Sequence, residues 1–283
     1  MSLASPPRAV VPISWRVVYA AAVRTVRAAR YVLPFRQGGS VPALVEADDL
    51  GLYVVKLRGA SQGKKTLVAE LIAGELARAA GLLVPELVFV ELDAKLSASE
   101  PDPEIATPLE ASAGLNLGLD YLPGSITFDP VARFRPDVTT ASRLVLFDAF
   151  ITNVDRTARN ANLLQWHGRL WLIDHGASLY FHHGWSPKDP LEGSTDAFAE
   201  IADHVLLRWA SELDEAAVFL QTVLDDVLLE RVVADIPESW LDPADGFEDG
   251  ARHRAAYVEW LRARAKAMPV YLERAKGARG RFV

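Results

Sequence analysis

Three polar residues near the middle of the chain have the types and spacing that phosphoryl transfer requires. Asp155 is followed five positions later by Asn160, and Asp174 stands 14 residues further on, in Asp174-His175-Gly176. A carboxylate beside a reacting phosphate can orient and deprotonate a hydroxyl group, and carboxylate and amide oxygens suit Mg²⁺. Short apolar runs between Asn160 and Asp174 predict a hairpin that brings the two together. This order and spacing of Asp, Asn and Asp is typical of kinase active sites.

The first part of the chain contains residues that could bind the phosphates of a nucleotide. Lys56 ends the apolar run Tyr53-Val54-Val55, and a buried lysine needs an opposite charge. Glu70 lies early in the next predicted helix and could pair with it, although Glu75 is a rival. Gly38-Gly39-Ser40 could form a backbone-rich turn over phosphates, or an ordinary turn.

These residues resemble those of the HipA-like kinases, whose fold is related to that of protein kinases and phosphatidylinositol 3/4-kinases. The resemblance covers roughly residues 30–185 and is carried by six segments in family order. They are Arg36 to Ser40, Val54 to Lys56, Glu70 through Pro85, Leu119 to Gly124, Asn153 to Leu164 and Leu172 to Leu179.

The resemblance implies a role for each matching residue. Asp155 is similar to the catalytic aspartate, and Asn160 and Asp174 are similar to the Mg²⁺ ligands. Lys56 resembles the ATP-binding lysine, with Glu70 as its partner and Gly38, Gly39 and Ser40 as the phosphate loop. Three further residues resemble the hinge that receives adenine through backbone groups: Asp120, Tyr121 and Leu122.

Three features depart from the pattern of protein kinases. The loop that contains Asp155 reads Asn153-Val154-Asp155 and lacks the His-Arg-Asp start. The metal-binding motif has His175 where Phe is usual, and no Ala-Pro-Glu motif follows Asp174, so a protein-kinase-type activation segment is not expected. The first predicted strands lie close to the start of the sequence. We therefore expect a standalone HipA-like domain rather than a full-length toxin with its antitoxin partner.

The elements around these residues predict an α+β, two-lobed, protein-kinase-like fold. A hairpin is predicted over residues 41–57, a helix over 66–80 with Thr66 as N-cap and Gly81 as stop, and a strand over 87–92. Residues 94–113 read as a surface loop, and 141–152 as a buried helix. Amphipathic helices are predicted over 199–211, 214–234 and 250–276. We expect a strand-rich N-lobe over 1–122 and a helical C-lobe over 123–283.

Composition and charge narrow the classes of function. The net charge of −7 makes general nucleic-acid binding improbable. Cysteine is absent, which excludes disulfides and thiolate metal sites and suits the cytoplasm. Six arginines and no acidic residue precede Glu46, which indicates a basic edge on a first strand or helix. Their spacing interrupts every apolar run, so no transmembrane span is expected.

The sequence thus predicts an ATP- and Mg²⁺-dependent phosphotransferase that acts on a Ser or Thr hydroxyl of a protein. Two alternatives remain open: a small-molecule or lipid kinase, and a nucleotide-binding pseudokinase or scaffold. Arg156 and Arg159 are interpreted either as phosphate-steadying or as solvated loop residues, and His175, His182 and His183 as structural histidines.

Overall fold

The computed structural model of this protein describes residues 22–35, 42–60, 63–100 and 102–282. The first strands and helices are β1 (Thr25–Pro34), β2 (Ala43–Ala47), β3 (Leu52–Lys56), α1 (Gly63–Ala79), β4 (Leu87–Leu92), α2 (Pro103–Ala111), β5 (Gly114–Asp120) and β6 (Ile126–Thr127). They are followed by α3 (Val138–Phe150), β7 (Leu163–Trp166), β8 (Arg169–Leu172), α4 (Leu213–Val223), α5 (Asp226–Ala234), α6 (Gly250–Lys266) and α7 (Met268–Arg279). The mixed α and β composition predicted from the sequence is confirmed.

The first five strands close into a small barrel. Their order is β1-β2-β3-β5-β4, and a parallel pairing of β1 with β4 completes the ring. Alternating residues point inward, and Val45, Val55, Val88 and Val90 form its fully buried interior. The predicted hairpin over 41–57 is present as β2 and β3.

The basic edge expected near the start of the chain is described only in part, because Arg8, Arg16 and Arg36 lie outside the described residues. Arg24 directly precedes β1, Arg27 and Arg30 lie on it, and all three are paired with carboxylates. Arg24 contacts Glu86 at 2.8 Å, Arg27 contacts Glu91 at 3.2 Å, and Arg30 contacts Glu46 at 2.5 Å. The positive charge at this edge is therefore met by the acidic residues of neighbouring segments.

Helix α1 ends where the sequence predicts and begins earlier. Gly81 adopts φ +71°, and the Leu82 N–H bonds the Ala77 carbonyl, a helix-terminating arrangement that favours glycine. Thr66 is not the N-cap, because the helix starts at Gly63 and Thr66 lies buried within its first turns.

The predicted loop over 94–113 is wrong. A 3₁₀ helix occupies Ala94–Ser99, and α2 follows at Pro103–Ala111. Asp102 accepts a hydrogen bond from the Glu104 N–H at 3.0 Å, and Pro103 occupies the first helical position. Asp followed by Pro is a helix-start signal that the acidic, Pro-rich composition of the segment obscured.

The long helices predicted in the last third are interrupted. Residues 199–211 form two short 3₁₀ helices rather than one α-helix. The 214–234 stretch divides into α4 and α5, where Asp225 caps α5 through the Leu228 N–H at 2.8 Å. The 250–276 stretch divides at Ala267 into α6 and α7, because Pro269 can stand in the first turn of a new helix but not inside an old one.

One large hydrophobic core joins the barrel to the later helices. It includes Leu71 and Leu76 of α1, Phe147 of α3 and Trp260 of α6. Trp240 donates its indole N–H to the Leu115 carbonyl of β5 at 3.0 Å. The first and last parts of the chain are therefore packed together. Within the described residues, no helix combines the length and hydrophobicity needed to cross a bilayer.

Candidate active site

A cleft of about 320 Å³ lies between the barrel and the β7–β8 hairpin. Its walls include Lys56, Leu119, Asp120–Leu122 and Asp174. The cleft therefore brings together residues from distant parts of the chain, such as Lys56 and Asp174, which are 118 positions apart. Of the predicted nucleotide-binding residues, Gly38, Gly39 and Ser40 lie outside the described residues.

Lys56, Glu70 and Asp174 form a group of opposite charges at the inner end of this cleft. Strand β3 brings Lys56 to a position where 7% of the residue is exposed. Its ammonium group contacts the Asp174 carboxylate directly and lies 3.7 Å from Glu70 Oε2. Burial opposes both charges, but the attraction between them raises the pKa of Lys56 and lowers the pKa of Glu70 to about 2. The lysine and the glutamate are therefore both charged near neutral pH.

Glu70, rather than Glu75, is the helix carboxylate that faces Lys56. Glu75 lies 3.6 Å from Arg78 on the same helix, and its burial raises its pKa. Five residues correspond to about one and a half turns, so the two carboxylates leave α1 on different faces.

The Asp174-His175-Gly176 motif packs tightly against α1. Asp174 adopts φ +58°, a left-handed conformation that aspartate tolerates better than most residues. His175 is fully buried, and its Nδ1 lies 3.4 Å from Glu70 Oε1. A Cβ atom on Gly176 would overlap the methyl group of Thr66, so the close approach of the motif to α1 requires glycine.

Asp155 is held by two neighbouring amides. Asn160 Nδ2 donates to Asp155 Oδ2 at 2.7 Å, and Asn162 Nδ2 donates to the same oxygen at 3.3 Å and to the Asp155 carbonyl at 3.0 Å. The Ile173 N–H bonds the Asn162 carbonyl at 3.1 Å, which ties this loop to the residue before Asp174. One carboxylate oxygen of Asp155 is thus fixed while the other can accept a proton or a hydrogen bond.

A buried network that no sequence motif predicts lies beneath the Asp155 loop. Asp148 of α3 accepts from Arg156 Nε at 2.5 Å, from Asn153 Nδ2 at 3.2 Å and from His204 Nε2 at 2.9 Å. The Leu206 N–H donates to His204 Nδ1 at 3.0 Å, so His204 is a neutral ring that carries its proton on Nε2. Burial opposes ionisation of Asp148, but Arg156 outweighs that effect and lowers its pKa.

The sequence contains one signal of this network, although it does not identify the partners. Asp148 is a single charged residue within the apolar helix Leu144 to Ile151, and a carboxylate in such a position requires partners. Arg156 is 1% exposed, so neither of its two sequence-based interpretations, phosphate contact or solvated loop, is correct. Arg159 is exposed, as the second interpretation allowed.

The segment Asp120–Leu122, for which a hinge role is predicted, forms one wall of the cleft. The Asp120 N–H bonds the Glu86 carbonyl at 2.9 Å, and the Tyr121 N–H bonds the Leu52 carbonyl at 2.8 Å. Among the described residues, no acceptor engages the Leu122 N–H. Of the three backbone N–H groups of this segment, the Leu122 N–H is therefore the one available to a ligand.

Comparison with known proteins bears on the family and the fold of this chain. The family model described as HipA-like kinase matches residues 30–266. The crystal structure of the Helicobacter pylori proinflammatory kinase CtkA has a TM-score of 0.52 and is 12% identical, covering 87% of this chain and 97% of that chain. The crystal structure of the Golgi casein kinase with Mn and ADP bound has a TM-score of 0.47 and is 11% identical, covering 92% of this chain and 75% of that chain. No curated protein sequence matches this chain. The likeness to CtkA shows a kinase-like fold.

Proposed function

The chain belongs to the HipA-like kinase family, and from that premise we propose that it transfers the γ-phosphate of ATP, with Mg²⁺, to a Ser or Thr hydroxyl of a protein. The observation that carries the proposal is the buried contact of Lys56 with both Glu70 and Asp174 at the end of the cleft. A buried ammonium group with two carboxylates is an expensive arrangement, and its use as a phosphate-binding centre accounts for it. We propose that Lys56 binds the α- and β-phosphates and that Glu70 orients it.

Adenine, in this proposal, lies against Asp120, Tyr121 and Leu122. Leu119 and Leu164 supply apolar walls of the same cleft. The Leu122 N–H is the proposed hydrogen-bond donor to the base, because the two preceding amides are already engaged by Glu86 and Leu52. Gly38, Gly39 and Ser40 remain proposed as the phosphate loop on the strength of the sequence alone.

The side-chain oxygens of Asn160 and Asp174 are of the type that Mg²⁺ prefers, and we assign the ion to them. The Asn160 amide nitrogen is held by Asp155, which leaves its carbonyl oxygen for a cation, and Asp174 supplies a carboxylate that is 43% exposed. Mg²⁺ takes one or two protein oxygens together with phosphate oxygens and water, so two protein ligands suffice. When bound, the ion would neutralise charge on the β- and γ-phosphates.

Asp155 is the proposed base for the acceptor hydroxyl. The acceptor oxygen forms a bond to the γ-phosphorus, the bond from that phosphorus to the β-phosphate oxygen breaks, and ADP leaves. The hydroxyl proton passes to the free carboxylate oxygen of Asp155. The amides of Asn160 and Asn162 hold the other oxygen and so fix the direction in which Asp155 accepts.

We further propose a division into an N-lobe over 1–122 and a C-lobe over 123–283, with the cleft at their junction. The last barrel strand, β5, ends at Asp120, and the next strand, β6, pairs with β7 instead of with the barrel, which supports this boundary. The shared core implies lobes that move little relative to one another. A cytoplasmic site of action is proposed from the cysteine-free sequence and would be tested by cell fractionation.

The test is phosphate transfer from ATP labelled at the γ-position. Purified full-length protein with Mg²⁺ should label a dephosphorylated protein acceptor or itself on Ser or Thr. Asp155→Asn and Asp174→Asn should each reduce labelling at least about 100-fold. The matched control is Asp214→Asn. Asp214 is an exposed residue of α4 that pairs with Lys276 of α7.

Full labelling by Asp174→Asn would refute the mechanism. Tight ATP binding without transfer would favour a pseudokinase, and labelling only of small-molecule or lipid hydroxyls would redirect the acceptor class.

A further inference from the structure

The first turn of α1 carries a lysine, Lys65, in a position that the neighbouring sequence does not favour. Lys64 and Lys65 both lie in this turn, which contains no acidic residue. Positive charge at a helix N-terminus opposes the helix dipole, so the location is unfavourable for an isolated helix. Tertiary contacts must compensate for it.

Lys65 has two well-defined partners outside its own helix. Its ammonium group donates to the His182 carbonyl at 2.6 Å and lies 2.7 Å from Asp245 Oδ1. The side chains of Lys65 and Asp245 are 25% and 16% exposed, so solvent screens the pair only in part. His253 Nε2 lies 4.0 Å from the other oxygen of Asp245, and burial lowers the pKa of His253. Lys65 is therefore the close cation of this carboxylate near neutral pH.

Both acceptors are themselves held in place. His182 belongs to a 3₁₀ helix, Tyr180–His183, that follows the Asp174-His175-Gly176 motif, and its ring Nδ1 lies 3.1 Å from the Tyr257 hydroxyl of α6. Asp245 ends another 3₁₀ helix, Pro243–Asp245, which precedes α6. Lys65 thus joins α1 to the α6 side of the molecule at two points.

The same turn of α1 bears on the charged group in the cleft. Thr66, next to Lys65, packs on Gly176, and Glu70, four residues after Thr66, lies on the same helix face and contacts His175. A displacement of the first turn would therefore move Glu70 away from Lys56 and loosen the packing on the metal-binding motif.

We propose that Lys65 is a positioning residue that clamps the start of α1 onto the segment after the metal-binding motif and so keeps Glu70 beside Lys56. The inference rests on the proposed function for its effect on catalysis, since the contacts of Lys65 with described residues are to His182 and Asp245 and not to the proposed nucleotide-binding residues among them. Its partners are the His182 carbonyl and Asp245, neither of which the sequence motifs include.

The clamp can be tested without any activity, because the chain contains no cysteine. An ideal Cβ on Gly176 lies 3.7 Å from the Thr66 Cβ, within the range of a disulfide. A double variant carrying Thr66→Cys and Gly176→Cys, here called the double-cysteine parent, should form this disulfide on mild oxidation. Mass spectrometry measures the rate of its formation. Adding Lys65→Met or the isosteric Asp245→Asn should slow its formation about threefold to thirtyfold, and Lys65→Arg should largely restore the rate. The matched control Lys276→Met removes another helix lysine that lies 3.0 Å from an aspartate. It should leave the rate unchanged.

Turnover supplies the second readout. In the otherwise unaltered chain, Lys65→Met should lower kcat/KM for ATP about threefold to thirtyfold. Lys65→Met should also be added to the double-cysteine parent. After oxidation this variant should turn over as fast as the oxidised parent, and reduction with dithiothreitol should reverse this effect. Disulfide formation at the parent rate in both Lys65→Met and Asp245→Asn would overturn the clamp, whatever the turnover. If the Asp155 and Asp174 variants both kept full phosphate transfer, the proposed function would be refuted instead. The rate of disulfide formation would still decide the role of Lys65.

Discussion

The guanidinium group of Arg156 donates a 2.5 Å hydrogen bond to the carboxylate of Asp148, and both side chains are completely buried. Arg156 immediately follows Asp155, and its Nη1 also donates to the Asn162 carbonyl at 2.5 Å. Arg156 therefore anchors to helix α3 the loop that carries Asp155 and Asn160, and it holds this loop at both of its ends.

Removing one member of this pair should destabilise the protein strongly. Arg156→Met leaves the Asp148 charge buried without its cation, for which the expected loss is about 3–5 kcal/mol of unfolding free energy. The comparison is Arg252→Met, which breaks an Arg–Glu pair that is 40% and 44% exposed and should lose less than about 1 kcal/mol. Urea unfolding followed by circular dichroism measures both. Similar losses for the two variants would contradict a structural role for the buried pair.

Substitutions at Asn162 should separate backbone strain from the orientation of Asp155. Asn162 adopts φ +49°, which glycine accepts more readily than alanine. Both Asn162→Gly and Asn162→Ala remove the amide that holds Asp155, so each should lower kcat roughly tenfold. The alanine variant should in addition be less stable than the glycine variant by about 1 kcal/mol. Equal kcat for wild type and Asn162→Gly would show that the Asn160 contact alone orients Asp155.

Two glutamates of α1 should give opposite dependences of stability on pH. The pKa of Glu70 falls from 4.5 to about 2 on folding, because Lys56 and His175 outweigh the effect of burial. Its contribution is fully present above about pH 5 and is lost as the pH falls toward 2, at up to ~1.4 kcal/mol per pH unit. The advantage of wild type over Glu70→Gln should therefore shrink between pH 5 and pH 3.5.

Glu75 is the internal comparison for this measurement. Burial is the main reason that its pKa rises on folding, with Arg78 opposing the effect. The folded state then binds its proton more readily than the unfolded state, so the stability of wild type relative to Glu75→Gln should increase as the pH falls. Urea unfolding at several pH values tests both signs, and parallel trends for the two variants would disprove the assignment of partners.

Gly176 and Thr66 should compensate for each other. Gly176→Ala places a methyl group where the Thr66 methyl group already lies, so nucleotide turnover should fall and the protein should lose about 1–3 kcal/mol of stability. Thr66→Ser removes the obstructing methyl group while keeping the hydroxyl. The double variant should therefore recover much of both losses, whereas additive losses would show that the effect of Gly176→Ala arises elsewhere.

The strands and helices that the sequence predicted correctly are those that depend on interactions between residues close together in the chain. The hairpin β2–β3, strand β4 and the end of α1 depend on alternating apolar residues and on Gly81, which are local signals. The 3₁₀ helices over 199–209 share the apolar composition of an α-helix, and they pack against α3 and α7. Composition could not distinguish the two.

The candidate site divides in the same way. The motifs containing Asp155, Asn160 and Asp174 identified the family and the chemistry, because phosphoryl transfer demands oxygen ligands and a base in a narrow spacing. Their roles in this chain remain predictions. Asp148, His204 and Lys65 belong to no motif, and the burial of Arg156 was not foreseen.

The sequence by itself determined the family, the residue types available for phosphoryl transfer and the order of the principal strands and helices. Only the tertiary structure decided that Glu70 rather than Glu75 faces Lys56, that Asp148 anchors the Asp155 loop, and that Lys65 reaches His182 and Asp245. The physical reason is that the strength of a charge pair depends on burial and on distances of a few ångströms. Those quantities are set by how whole segments pack, which local patterns do not encode. Lys65 and His182, for example, lie 117 positions apart in the chain.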